Sequence, residues 1–418
     1  MNTSNFNIAV LGAGNIGSAV IERLFNMDNS LLDITVKKVL VSDVNKDRSI
    51  DKGLLTGNID DIINDKDIDV VIEVLGGIDP GKEYIKSLLS TGKSVITANK
   101  DIIADCGKEL IELAQKHNSN LYFEASVAAG IPVLKPLIES LRTEKLSRVS
   151  GIINGTSNYI LTAMEEGSSY EDALKDAQEL GYAEPDPTND VEGIDAKYKA
   201  IILSMICFGA TPTSDEVFTK GISEITKEDF SWAERLGKTI KLVAVVDNAE
   251  GFNARVAPVL LDKKHPLASI RGALNAVVVE GENINQLVFS GPGAGAAPTA
   301  SAIIGDVLSA CHQLDSKQSN WYPLRENKHG NKDFDNVHSS WFLRLSVADE
   351  PGVLAEIAGT LGNNNVSIES VIQEGRGDKA ELVLITHEAP EKALETSLTE
   401  LSSLSSVTAV MSTLRVYS

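Results

Sequence analysis

The chain has 418 residues, of which 43% are hydrophobic and 23% charged, and its formal net charge is −21. That length suits two or three soluble domains. The acidic balance argues against nucleic acid or an anionic membrane as partner, since both ask for a basic face.

The three cysteines, Cys106, Cys207 and Cys311, stand far apart with no CxxC pair. That removes a zinc-site signature and a disulfide framework. The start, MNTSNFNIAVLG, carries no basic region before its apolar run, and the longest apolar run, Ala200 to Ala210, is too short to span a bilayer. A cytoplasmic enzyme is the expectation.

Phe6 to Leu11 reads as a buried strand that enters Gly12-Ala13-Gly14-Asn15-Ile16-Gly17 and then a helical run. Strand, GxGxxG and helix in that order form a dinucleotide-binding fingerprint. The glycines allow a tight turn and a close approach to pyrophosphate, and the helix N-terminus offers free N–H groups to the phosphates. The next strand is expected to end at Asp43, where an acid would bond the adenosine ribose. Lys46 and Arg48 follow, so the NAD or NADP signal is mixed, with a lean to NAD. Asp69 to Leu75 reads as a strand running into Gly76-Gly77. A helix and a further strand then place Asn99 and Lys100 at the carboxyl edge of a parallel sheet, where ligands bind. After the strand LYFE comes a small-residue loop with Gly130 and Pro132. There Glu124 either caps a backbone or joins carbonyls around a hard cation.

From Arg148 a second α/β pattern begins, with Asn154 to Asn158 read as a loop before a helix at Tyr159. Between Ala177 and Lys199, Pro185 and Pro187 fix a loop that carries Glu184 and Asp186. A helix is expected from Asp190 straight into the apolar run AIILSMICFGA. Asp195 and Lys199, at i and i+4, share a face of it, and charges that enter a core need partners or a task. Strands are expected at 241–246, 254–260 and 276–280, in a sheet covered by helices on one face. A second glycine loop with Gly295 and Thr299 then opens a helix near 298–314. Residues 315–340 read as a linker. From Trp341 the order βαββαβ indicates a ferredoxin-like unit.

Three stretches together resemble homoserine dehydrogenase: Thr97-Ala98-Asn99-Lys100, the run Ile153 to Leu161 (INGTSNYIL), and the glycine opening. The family's signature is filled by Ala177, Gly181-Tyr182-Ala183, Asp186-Pro187, Asp190-Val191, Gly193, Asp195 and Lys199. The tail is similar to an ACT domain. The resemblance implies an α/β architecture: a Rossmann domain over 1–135 to which the 298–314 helix returns, an α+β catalytic and dimerisation domain over 136–314, and an ACT domain over 341–418.

The resemblance further implies interconversion of L-homoserine and L-aspartate 4-semialdehyde with NAD or NADP, in threonine, methionine and isoleucine biosynthesis. Lys199 would move the proton, with Lys100 at the nicotinamide. Glu184, Asp190 and Asp195 would cradle the substrate ammonium, with Tyr182 and Thr156 as further contacts. A sodium ion would sit on Glu124 and the carbonyls of Val127, Ala129 and Ile131. Threonine is the expected effector, near Asp349, Gly352 and Asn365, in a homodimer or homotetramer; the alternative is an ACT unit that only dimerises. Ser42 stands where many NADP-using members carry Arg, which removes a phosphate fork and favours NAD or dual use. A lysine beside another lysine is expected to have a lowered pKa unless Asp195 restores it. An amino-acid sensor with a vestigial enzyme part is disfavoured by the intact lysines. An aspartate-semialdehyde dehydrogenase would need a nucleophilic cysteine, and none is placed for that.

Overall fold

The computed structural model describes residues 5–27, 33–248, 251–316, 324–327, 330, 332–375 and 380–417. Residues 317–323, 328, 329 and 331 of the expected linker lie outside the described residues. The first third of the chain runs β1 (Asn5–Leu11), α1 (Asn15–Phe25), β2 (Asp33–Leu40), β3 (Leu55–Thr56), α2 (Asp60–Ile63), β4 (Val70–Glu73), α3 (Gly81–Ser90), β5 (Ser94–Thr97), α4 (Lys100–Lys116), β6 (Leu121–Tyr122) and α5 (Leu134–Ile138). Its six strands form a parallel sheet in the order β3-β2-β1-β4-β5-β6. Strand order reverses at β1, so the crevice beyond its carboxyl end is a topological switch point.

Alternation along the strands explains why both faces are covered. In β1, Ile8 and Val10 face one core cluster while Ala9 and Leu11 face another. The first cluster is closed by α1 and by a helix from much later in the chain, α11 (Ala296–Ser316). That helix lays Ala300, Ile303, Val307, Ala310 and Cys311 on the sheet. Burying an Ile or Val this fully contributes roughly 1.5–3 kcal/mol.

The middle of the chain runs β7 (Leu146–Ile152), α6 (Gly155–Glu165), α7 (Tyr170–Glu179), α8 (Thr188–Val191), α9 (Ile194–Phe208), β8 (Phe218–Thr219), α10 (Lys227–Arg235), β9 (Lys238–Asp247), β10 (Asn253–Asp262), β11 (Leu274–Gly281) and β12 (Asn285–Pro292). The tail adds β13 (His338–Val347), α12 (Val353–Asn363), β14 (Ile368–Glu374), β15 (Ala380–Thr386), β16 (Ala389–Pro390), α13 (Glu391–Leu401) and β17 (Val407–Tyr417). The βαββαβ order holds, and its strands lie β17-β13-β15-β14. Yet the tail's sheet is not separate. β17 pairs in parallel with β10 (Val259↔Arg415 to Leu261↔Tyr417), which fuses middle and tail into one 11-stranded sheet. Helices α6, α9 and α10 pack on one face of its middle part.

Four local differences from the sequence reading have physical causes. β2 stops at Leu40, and Asp43 sits beyond it on an exposed loop where its Oδ1 accepts from Asn45 N at 2.8 Å. Such a side-chain turn competes with the strand ladder. β6 is only two residues long, and Glu124 starts a 3₁₀ turn instead of ending a strand. The helix expected from Tyr159 begins at Gly155, because Asn154 caps it by accepting from Ser157 N at 2.8 Å. The helix expected from Asp190 is two helices, broken at Gly193, whose φ is 76°. Only glycine takes that conformation without strain, and a Cβ there would press on Thr219 and Val256 at 3.3 Å.

Candidate active site

Between the carboxyl edge of the parallel sheet and the N-terminal ends of α6 and α9 lies a cleft of about 1070 Å³. One wall is built by β4, β5 and α4. Glu73, fully buried, accepts from Leu75 N at 2.7 Å and from Thr97 Oγ1 at 2.5 Å. Thr97 Oγ1 in turn accepts from Asn99 N at 2.9 Å. Asn99 caps α4 through Ile102 N and donates to Gly77 O at 2.5 Å. This chain of bonds fixes the Gly76-Gly77 turn and sets Lys100 on the first turn of α4, facing the cleft.

The opposite wall supplies Asp195 and Lys199 from α9, both buried. Asp195 stands between the two lysines. Its Oδ2 accepts from Lys199 Nζ at 2.6 Å, and its Oδ1 lies 3.2 Å from Lys100 Nζ. Lys199 Nζ also donates to Ile153 O at 2.7 Å. Two of its three ammonium donors are thereby used. Asn154 joins the acids, donating to Asp190 Oδ1 at 2.7 Å and to Asp195 Oδ2 at 3.0 Å. Sequence reasoning quoted Asn154 within a motif but gave it no role; its signal is an N-cap residue immediately before a helix that opens the site.

Electrostatics follow from that arrangement. Burial pushes the Asp195 carboxyl up, but Lys199 and Lys100 outweigh it and hold the group below its ordinary range. Burial pulls Lys100 down, but Asp195 and Asp101 together leave it above its ordinary value. Of the two alternatives the sequence left open, the restoring one holds at Lys100, because the Asp195 carboxylate sits between the two cations. Asp190 is raised, mainly by burial, against its bond from Asn154.

Other predicted residues fall around this centre. Thr156 is buried and donates to Tyr182 O at 2.7 Å. Tyr182 and Glu184 line the cleft from its exposed rim, on the loop that the two prolines stiffen. Gly295 lines the cleft with φ at 112°, whereas Thr299 is buried one turn into α11 and donates its N–H to Gly295 O. The segment Gly12, Ala13, Gly14, Asn15, Ile16 and Gly17 forms the turn from β1 into α1. A Cβ at Gly17 would meet Gly12 O at 2.1 Å, so the turn demands glycine. Arg48 donates to Asp43 O at 2.6 Å.

Glu124 is a cap. Its Oε1 accepts from Val133 N and Leu134 N at 2.6 and 2.9 Å, and its Oε2 from Lys135 N at 2.7 Å. Val127, Ala129 and Ile131 are buried in the following loop, which Ala129 N ties to Gly293 O at 3.0 Å. In the tail, Gly352 (φ 101°) precedes α12 and Asn365 (φ 62°) follows it. The 11 residues of that helix separate them by about 16 Å at 1.5 Å per residue. The helix therefore holds Gly352 and Asn365 of one chain apart.

Comparison with known proteins fits this geometry. Residues 132–308 match the homoserine dehydrogenase family, 12–124 the homoserine dehydrogenase NAD-binding domain, and 341–406 the ACT domain. The chain belongs to the homoserine dehydrogenase family. It is 39% identical to the homoserine dehydrogenase of Bacillus subtilis over 422 residues, covering 98% of each chain. It is 40% identical to that of Mycobacterium tuberculosis over 432 residues, covering 98% of this chain and 97% of the relative. The crystal structure of the homoserine dehydrogenase from Thiobacillus denitrificans superposes with a TM-score of 0.93 at 34% identity, covering 99% of both chains. A hyperthermophilic archaeal homoserine dehydrogenase in complex with NADPH matches with a TM-score of 0.65 at 27% identity, covering 76% of this chain and all of that one. The chain is thus an oxidoreductase with an NAD(P)-binding domain and an ACT domain. No helix among the described residues is long and apolar enough to cross a membrane.

Proposed function

We propose that this homoserine dehydrogenase family member interconverts L-homoserine and L-aspartate 4-semialdehyde, with Lys199 moving the proton. The observation that carries the reading is Lys199 itself: it is buried, it is pinned by Ile153 O and Asp195, and it lines the cleft. Its third N–H remains to meet a substrate oxygen. The dinucleotide supplies or accepts the hydride. As the aldehyde carbon is reduced, charge develops on its oxygen. A positioned ammonium stabilises that charge and can deliver the proton. Lys100, on the far side of Asp195, places a second cation at the same edge. Asp195 pairs with both lysines and orients them. Glu184 and Asp190 complete an acidic cradle for the substrate ammonium.

The cofactor reading is NAD or dual use. Ser42 offers no guanidinium for a 2′-phosphate, and Arg48 is tied to the carbonyls of Asp43 and Lys46. A sodium ion would rest chiefly on the carbonyls of Val127, Ala129 and Ile131. Three backbone bonds already fill most of the roughly four lone-pair sites of the Glu124 carboxylate, so the ion's part would be to brace the loop against Gly293. For the ACT domain we infer feedback by threonine, with Asp349 and Gly352 of one chain meeting Asn365 of another in a dimer or tetramer. The setting is cytoplasmic synthesis of threonine, methionine and isoleucine. Steady-state assay of purified protein for homoserine-dependent reduction of NAD and of NADP, with and without threonine, tests the whole reading. Absence of turnover with either cofactor contradicts it.

A further inference from the structure

The cleft contains a side chain that the machinery above does not use. Asn275 is 1% exposed and lines the cleft, yet neither its Oδ1 nor its Nδ2 has a hydrogen-bond partner among the described residues. A buried primary amide without partners costs free energy and calls for an explanation.

Its position is close to the chemistry. Ala276 pairs with Ile152 across the β11–β7 ladder, so Asn275 stands beside Ile153, whose carbonyl holds Lys199. Two glycines press against the amide. A Cβ on Gly155 would lie 3.5 Å from Oδ1, and one on Gly293 would lie 2.0 Å from Nδ2. The barrier on the Gly293 side is therefore bare backbone, next to the exposed Ala294-Gly295 turn.

The preceding segment is clamped. Asn158 Nδ2 donates to the carbonyls of Ile270, Gly272 and Leu274 at 3.2, 2.9 and 3.1 Å. Lys241, fully buried, donates to Ile270 O at 2.8 Å and to Asn158 Oδ1 at 3.2 Å. Gly272 N donates to Thr162 Oγ1 at 3.1 Å. A wall fixed this thoroughly holds its unpaired amide by construction.

We propose that Asn275 is a binding residue of the cleft and that its partner is the carboxamide of the nicotinamide ring. Homoserine and its semialdehyde carry an ammonium and a carboxylate, which charged groups serve. A primary carboxamide instead presents one donor and one acceptor in a plane, the complement of what Asn275 leaves unpaired. The inference rests on the NAD(P) reading of the cleft given above.

Asn275→Ala and Asn275→Ser test it through stability and binding. The ligand-free variants are expected to melt at or above the wild-type temperature, since an unsatisfied group has been removed. NAD affinity, measured by calorimetry without substrate, is expected to fall about tenfold, the size of one or two lost hydrogen bonds. The KM for homoserine should hold. Wild type should bind NAD more tightly than 3-acetylpyridine adenine dinucleotide, which lacks the amide NH₂, and the variants should lose that preference. A lower melting temperature or failure of both variants to fold, with NAD affinity unchanged where it can be measured, makes Asn275 structural and overturns the proposal. A raised KM for homoserine with unchanged NAD affinity also overturns it. If wild type itself fails to turn over homoserine with NAD or NADP, the functional reading fails instead.

Discussion

Two buried ion clusters in this chain use the same chemistry to different ends. In the cleft, Asp195 faces Lys199 and Lys100. At the seat of the tail, Arg344 of β13 meets Asp229 of α10 at 3.1 Å. The second cluster is closed. Arg344 also donates to Thr226 Oγ1 at 3.1 Å, and Asp229 accepts twice from Thr226 at 2.9 Å. Trp232 Nε1 donates to Glu381 from the same helix, and Arg235 stacks over the Trp232 ring at 4.0 Å. The first cluster is open: Lys199 Nζ makes two of its three possible hydrogen bonds, and the neighbouring Asn275 amide is unpaired among the described residues. Full pairing makes a dock, whereas incomplete pairing in a fixed frame makes a site.

The sharpest way to break that contrast is Arg344→Ala. It leaves the buried Asp229 without its guanidinium partner, so urea unfolding should show a loss of about 3–5 kcal/mol. Among molecules that remain folded, kcat should stay within about twofold if the dock is structural. A large fall in kcat at full stability would erase the distinction.

Lys241 probes the frame behind the cleft. Burial lowers its pKa to about 8 from 10.5. Between those values the unfolded chain binds the extra proton, so this group's contribution to stability rises with pH across that window. The gain is about 3 kcal/mol at 1.36 kcal/mol per pKa unit. Comparing wild type with Lys241→Met, the difference in unfolding free energy should shift by that order between pH 8 and 10.5. A flat difference would mean that the lysine is charged in both states.

The smallest expected effect is at Asn154. Asn154→Ser keeps an N-cap oxygen for α6 but loses the reach to Asp190 and Asp195. Steady-state kinetics should show kcat/KM down about tenfold, the low end for losing two hydrogen bonds to carboxylates, with the melting temperature almost unchanged. A stability loss without a kinetic one would make Asn154 a cap and nothing more.

Most of the site was legible because its residues carry local signals. The glycine turn, the proline loop and the i, i+4 spacing of Asp195 and Lys199 each constrain geometry within a few residues. The βαββαβ tail was legible for the same reason, since hydrophobic periodicity and turn residues are local. What stayed hidden depends on partners distant in sequence. Asp195 bridges to Lys100 across 95 positions, and that pairing holds the lysine's pKa above its ordinary value. β12, mostly exposed and only weakly apolar, gave no strand signal. The β10–β17 joint, which removes the expected independence of the tail, is set by register between segments more than 150 residues apart. Asn275 has no motif at all, because what marks it is a buried amide without a hydrogen-bond partner among the described residues.

Lys199 is proposed to carry the proton at the open end of the cleft. The direct measurement is kcat for Lys199→Ala beside NAD affinity determined by calorimetry on the same preparation. The expected kcat is at least ~100-fold lower, the usual share of a general acid, with NAD affinity within twofold of wild type. A kcat within a few-fold of wild type would contradict it and move the proton to another group.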